Sequence, residues 1–153
     1  MATKAQQFEE FIDRLGLHHF KGSEFTPYWS RVKNEVINSI PPESLWTNII
    51  PTIIILDELR EELGSSITLL STYRSPAYNA AVGGESASFH MKFRAIDFSC
   101  ANGSPNEWAD KLRSWRGREF PLPGNSGRFV FRGGIGVYST FVHVNTRGQD
   151  ANW

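Results

Sequence analysis

A chain of 153 residues, 40% apolar and 21% charged, is large enough for one folded core and too rich in aromatic residues for disorder. Its formal net charge is zero and it has no long Lys/Arg run, so the electrostatic signature of a nucleic-acid or anionic-membrane binder is missing. Cys100 is the only cysteine, which excludes an intrachain disulfide, and no segment approaches the roughly 18 consecutive apolar residues of a membrane span.

In chain order, Phe8, Phe11, Ile12 and Leu15 recur at helical spacing and predict an amphipathic helix over 5–15. Residues 16–26 read as a loop carrying His18 and His19. Pro27 suits the first turn of a second helix, expected to run to about Ile40, where Pro41 and Pro42 stop it. The strongest helical signal lies in 43–63, where Leu45, Ile49, Ile53, Leu56, Leu59 and Leu63 form one stripe; Pro51 should kink or split this helix. Gly64 terminates it, and Ile67 to Thr72 reads as a strand. A short helix over 76–82 closes at Gly83-Gly84, and 93–100 alternates as a strand. Ser104 is a fitting N-cap for a helix over 105–115. After a Gly/Pro-rich loop at 117–127, strands are expected near 128–132, 134–138 and 140–146. Helices first and strands last predict an α+β domain with a small antiparallel sheet.

Two strands raise a chemical question. Period-2 geometry places Phe93, Ala95, Asp97 and Ser99 on one face, so Asp97 sits in a mainly apolar strand and needs a cation, a metal or several donors. His90 lies seven residues earlier, at the end of a polar loop. In the last strand Phe141, His143 and Asn145 share a face. Two histidines and an aspartate, with a fourth position left to water, match catalytic rather than structural zinc. Spacing alone leaves the plainer alternative open, in which each histidine is a hydrogen-bonded core or surface residue.

Several ordered motifs sharpen this reading. Ser71-Thr-Tyr-Arg-Ser-Pro-Ala-Tyr-Asn79, Val82-Gly-Gly84, Ser88-Phe-His90, Ala95-Ile-Asp97 and Phe141-Val-His143 occur in sequence, with Gly134-Ile-Gly-Val-Tyr138 before the last. Together they resemble the zinc D-alanyl-D-alanine carboxypeptidase family of peptidoglycan peptidases, whose fold is shared with hedgehog signalling domains. The resemblance covers about residues 45–153; the helical segment 1–42 matches only loosely, and the whole is expected to form a single domain. It implies a hedgehog/DD-peptidase fold with one zinc ion per chain, held by His90, Asp97 and His143. It also implies that Arg74 faces a substrate carboxylate or a developing oxyanion, a task suited to its planar donor fork. Ser88 would bond substrate or orient His90, unless it only shapes the turn. Tyr73 and Tyr78 are read as packing residues.

Three positions depart from the family pattern. Many relatives place a general-base Asp or Glu three residues before the last zinc histidine; here it is Thr140. Close relatives read His-Val-Asp where this chain has His143-Val-Asn145, and an amide cannot take a proton. A common glycine three after the first ligand is Phe93, which should make the cleft wall bulkier. The base is therefore unassigned; Glu85 is the leading candidate, with His18 and His19 weaker ones, and Asn145 is expected near the metal as a possible orienting group.

The expected function is hydrolysis of D-amino-acid-containing bonds in a peptidoglycan peptide. The alternatives are a zinc- or peptide-binding module that has lost catalysis and an intracellular peptidase with another substrate. The first seven residues lack the apolar run of a secretory signal, so synthesis in the cytoplasm is expected, with a separate export or lysis route to any cell wall. A monomer is expected, without nucleic-acid partner or membrane span.

Overall fold

The computed structural model describes residues 1–153. Thr3 opens helix α1 (Lys4–Asp13) with a capping box: Thr3 Oγ1 accepts from the Gln6 N–H, and the Gln6 side chain accepts from the Thr3 N–H. The helix buries Phe8 and Ile12, one turn apart on one face. Phe8 lies 4.8–6.0 Å, ring centre to ring centre, from Phe11, Phe25, Trp29, Trp46 and Phe93. The N-terminal segment thus shares its core with residues far along the chain.

The helix expected from Pro27 to Ile40 does not form. A 3₁₀ turn covers Thr26–Ser30, and a hairpin of β1 (Val32–Lys33) and β2 (Val36–Ile37) follows. Asn34 and Glu35 between its strands both have positive φ, 48° and 65°, as a two-residue primed turn requires. Three β-branched residues in six favour the extended chain. Buried Asn38 then locks the exit, donating to the Tyr73 carbonyl (2.9 Å) and accepting from the Ser75 N–H (3.0 Å).

Pro51 splits the next segment as expected. A 3₁₀ stretch, Glu43–Ile49, leads into α2 (Ile50–Leu63), with Pro51 in its first turn and Gly64 closing it at φ 58°. Then come β3 (Ile67–Ser71), α3 (Pro76–Ala81), β4 (Ala95–Cys100) and α4 (Pro105–Ser114), the two helices capped by Ser75 and Ser104. The loop expected at 117–127 contains a strand, β5 (Glu119–Pro121), paired with β6 (Arg128–Val130) because Phe120 is buried against Trp115 and Phe129. β7 (Gly134–Val137), β8 (Val142–Asn145) and β9 (Ala151–Asn152) complete the chain.

The main sheet has the order β3-β4-β8-β7-β9, antiparallel except for the short parallel pair β7/β9. Ile96, Phe98, Val142, Val144 and Ile135 belong to its buried side, where Trp108 of α4 meets Phe98. Thr52 of α2 donates to the Arg94 carbonyl (2.9 Å) and bonds Thr146, which ties that helix to the start of β4 and the end of β8. The α+β fold expected from the sequence is present, and no helix is long and apolar enough to cross a membrane.

Phe8→Ala should lower the stability of the whole protein by about 3–5 kcal/mol. A urea titration followed by tryptophan fluorescence should show an earlier midpoint with an unchanged slope. A merely local loosening of α1 would leave the midpoint where it is.

Candidate metal centre

Strand register creates the site. In the β4/β8 pair Asp97 lies opposite His143, and Ala95 lies opposite Asn145. Directly opposed side chains share a face and approach within about 5 Å at Cβ, so Asp97 and His143 meet without any loop to place them. The third member comes from the turn before β4. There the Met91 N–H bonds the Ser88 carbonyl, the Arg94 N–H bonds the Phe89 carbonyl, and Ser88 Oγ accepts from the His90 N–H (3.2 Å). Phe93 finishes the turn with φ 55°.

That φ corrects one expectation. β4 starts at Ala95 rather than Phe93, and Phe93 does not wall the cleft. Its ring is fully buried among Phe8, Phe25, Trp29 and Tyr73. A left-handed conformation is one that glycine adopts freely and that other residues rarely hold. Here packing of the phenyl ring holds the strained backbone instead.

His90 Nδ1 lies 2.6 Å from the Thr72 carbonyl oxygen and must donate to it. In the neutral ring this leaves a lone pair on Nε2, which faces Asp97 Oδ1 at 3.2 Å. Two acceptors thus face each other with side-chain exposures of only 2% and 10%. A cation between them, proton or metal, resolves the contact. His143 Nδ1 reaches the same oxygen at 2.9 Å with 12% exposure. The ligand atoms of His90, Asp97 and His143 all lie within 4.8 Å of one another and could hold a metal ion. Tetrahedral zinc spaces its N and O ligands about 3.4 Å apart, and Asp97 Oδ1 lies 3.2 Å from His90 Nε2 and 2.9 Å from His143 Nδ1. The Thr72 carbonyl is the outer partner that metal-ligating histidines ordinarily have. The donor set fits zinc.

The electrostatics agree. Burial alone would raise the Asp97 carboxyl, but the positive charge of His90 and hydrogen bonds from both histidines hold it well below the usual carboxylate range. Burial lowers the His143 imidazole, against the hydrogen bond to Asp97.

Arg74 stands beside this cluster, Nη2 3.6 Å from Asp97 Oδ2. Its Nη1 donates to Asn79 Oδ1 (2.9 Å), and its Nε to Ser71 Oγ (3.4 Å). Gly84 is needed for this approach, since a Cβ there would meet Arg74 Nη1 at 2.6 Å. Asn79 also donates from Nδ2 to the Glu85 carbonyl (2.9 Å), so one buried amide positions both Arg74 and the loop over it.

These residues line an open cleft of about 600 Å³. It brings together Arg74, Glu85, Ser88, His90, Asp97, His143 and Asn145. Glu85 is exposed and is the one carboxylate besides Asp97 that lines the cleft. Thr140 is exposed outside it. His18 and His19 lie elsewhere: their backbone N–H groups bond the carboxylate of Asp57 on α2, and the His19 ring pairs with Glu61. Tyr73 and Tyr78 are buried, as packing residues should be.

Sequence reasoning missed one wall of the cleft. The Trp153 ring lies 5.2 Å from that of His143 and donates from Nε1 to the Tyr138 hydroxyl (2.9 Å), while the Tyr138 ring stacks on Phe141 at 4.5 Å. Gly136 makes room, because any Cβ there would overlap the indole. The Gly134-Ile-Gly136 alternation, bare on one face, was the available signal.

Both Asp97 and His143 have native pKa values below their ordinary ones, so the unfolded chain binds more protons in each window. Their stabilising effect is present above the ordinary values, 6.5 for the histidine and 3.8 for the aspartate, and is lost as pH falls below each. Metal-free protein should therefore show a falling urea midpoint from pH 7 to pH 4, and His143→Gln should flatten the upper part of that curve. Equilibrium dialysis supplies a second check: His90→Ala and Asp97→Ala should each bind less zinc than wild type at the same free zinc concentration.

The family model described as Peptidase M15 matches residues 18–145, which include every cleft residue named above except Trp153, beyond its end. It reaches into the N-terminal segment, whose motifs resemble the family only loosely. No curated protein and no solved structure matches the chain. With the match spanning well over half its length, the chain belongs to the peptidase M15 family.

Proposed function

We propose that this protein is a zinc metallopeptidase that hydrolyses D-amino-acid-containing peptide bonds of peptidoglycan, as a carboxypeptidase or an endopeptidase. Family membership supports a metal-dependent peptidase. The observation that carries the reading is the buried contact between His90 Nε2 and Asp97 Oδ1, completed by His143 at the floor of an open cleft. A metal held there would polarise a peptide carbonyl and make a water nucleophilic at neutral pH.

The chain's own groups divide the remaining work. Arg74, fixed by Asn79 and Ser71, offers its fork to the substrate carboxylate or to the oxygen that gains charge. Ser88 accepts from the His90 N–H, which leaves its hydroxyl hydrogen free to donate to substrate. Glu85, the other carboxylate that lines the cleft, would take and return a proton. Tyr138, Phe141 and Trp153 give the substrate chain an apolar wall to lie against. The site of action is the cell wall, reached by a separate export or lysis route, and the working form is a monomer.

A second reading, a binding module with weak or no catalysis, is favoured by Thr140 lying outside the cleft and by the fully buried Asn145 amide. Zinc-loaded protein incubated with purified peptidoglycan decides between them. The peptidase reading expects released peptides by mass spectrometry; retention of the protein on the polymer without release would replace it with the module. Arg74→Lys should lower turnover about a hundredfold with zinc content unchanged, because it keeps the charge and loses the fork.

A further inference from the structure

Asn145 is fully buried between two partners. Its Oδ1 accepts from the Gly134 N–H (2.9 Å), and its Nδ2 lies 3.0 Å from His143 Nε2. The Gly134 amide can only donate, so the orientation of the Asn145 side chain is forced. Nδ2 carries hydrogens and no lone pair, so His143 Nε2 must be the acceptor. The neutral His143 ring therefore carries its proton on Nδ1 and gives it to Asp97 Oδ1 (2.9 Å).

Nδ1 is also the atom with which His143 faces the metal-ligating cluster. Ligation there needs the Nδ1 lone pair, so the ring proton has to move to Nε2. Nε2–H and the Asn145 NH₂ then point at each other across 3.0 Å. Turning the amide over sets its NH₂ against the Gly134 N–H instead. With no exposure, water cannot relieve either clash. A carboxylate at 145 would accept from both neighbours at once.

We infer that Asn145 is a positioning residue that holds His143 in the tautomer opposed to metal ligation, and so makes the metal affinity of this chain weak. The inference rests on the metal reading proposed above. It assigns Asn145 no part in proton transfer to substrate: what this side chain sets is occupancy of the site.

The test is a zinc titration against a chromophoric chelator, with wild type, Asn145→Asp and Asn145→Ala compared at one pH. Asn145→Asp should bind zinc about 10–100-fold more tightly, the range over which outer partners change metal affinity. Asn145→Ala, which removes the opposing donor without adding charge, should bind at least as tightly as wild type. Nitrogen-15 NMR of metal-free wild type, which needs no variant to fold, should show His143 as the Nδ1–H tautomer. Equal affinities of wild type and Asn145→Asp, weaker binding by folded Asn145→Ala, or an Nε2–H tautomer in wild type would each overturn the inference while leaving the metal site standing. Zinc bound by none of the three proteins would overturn the metal reading itself, and the inference with it.

Discussion

A single carboxylate oxygen, Asp97 Oδ1, sits between two imidazole nitrogens at 2.9 and 3.2 Å in a largely buried position. Burying a charge is costly unless it is paired, and Asp97 is met directly by His143 and Arg74 and, through the cation their contact requires, by His90. Most of the surrounding structure follows from meeting that requirement. The β4/β8 register supplies His143. The Thr72 carbonyl, just past the end of β3, turns His90 so that Nε2 faces the aspartate. The Asn79 amide and the missing side chain of Gly84 bring in the guanidinium.

The distant N-terminal segment serves this constraint too. His90 reaches Asp97 because the chain reverses between Ser88 and Arg94, and that reversal passes through Phe93 in a left-handed conformation. A non-glycine residue stays in that region only when its surroundings compensate. The compensation is the aromatic cluster of Phe8, Phe25, Trp29 and Tyr73 around the Phe93 ring. Packing of α1 and the 3₁₀ turn after it is thus coupled to the position of a candidate metal ligand more than 60 residues later.

The cleft face of the sheet is kept bare where the site needs room. Gly136 leaves space for the Trp153 indole, and β9 brings that residue beside His143 by pairing in parallel with β7. The cleft therefore has a polar floor and one aromatic wall.

What the sequence determined by itself was whatever depends on near neighbours. Period-2 alternation put Asp97 on one strand face and His143 with Asn145 on another, Pro51 marked where the helix divides, and the ordered motifs marked the family. It misjudged 27–40 because two positive-φ residues and the buried contacts of Asn38 outweigh local helical preference, and neither is visible in a window of apolar spacing. It likewise could not place Phe93, whose apolar character is compatible with a strand, a cleft wall or a core. Only the tertiary structure decided that Asp97 faces His143, that His90 turns one nitrogen to Thr72, and that Asn145 is pinned by Gly134. Each of these joins groups that are distant in sequence. Hydrogen-bond direction is set by which donor the fold brings to which acceptor, and no residue carries that information alone.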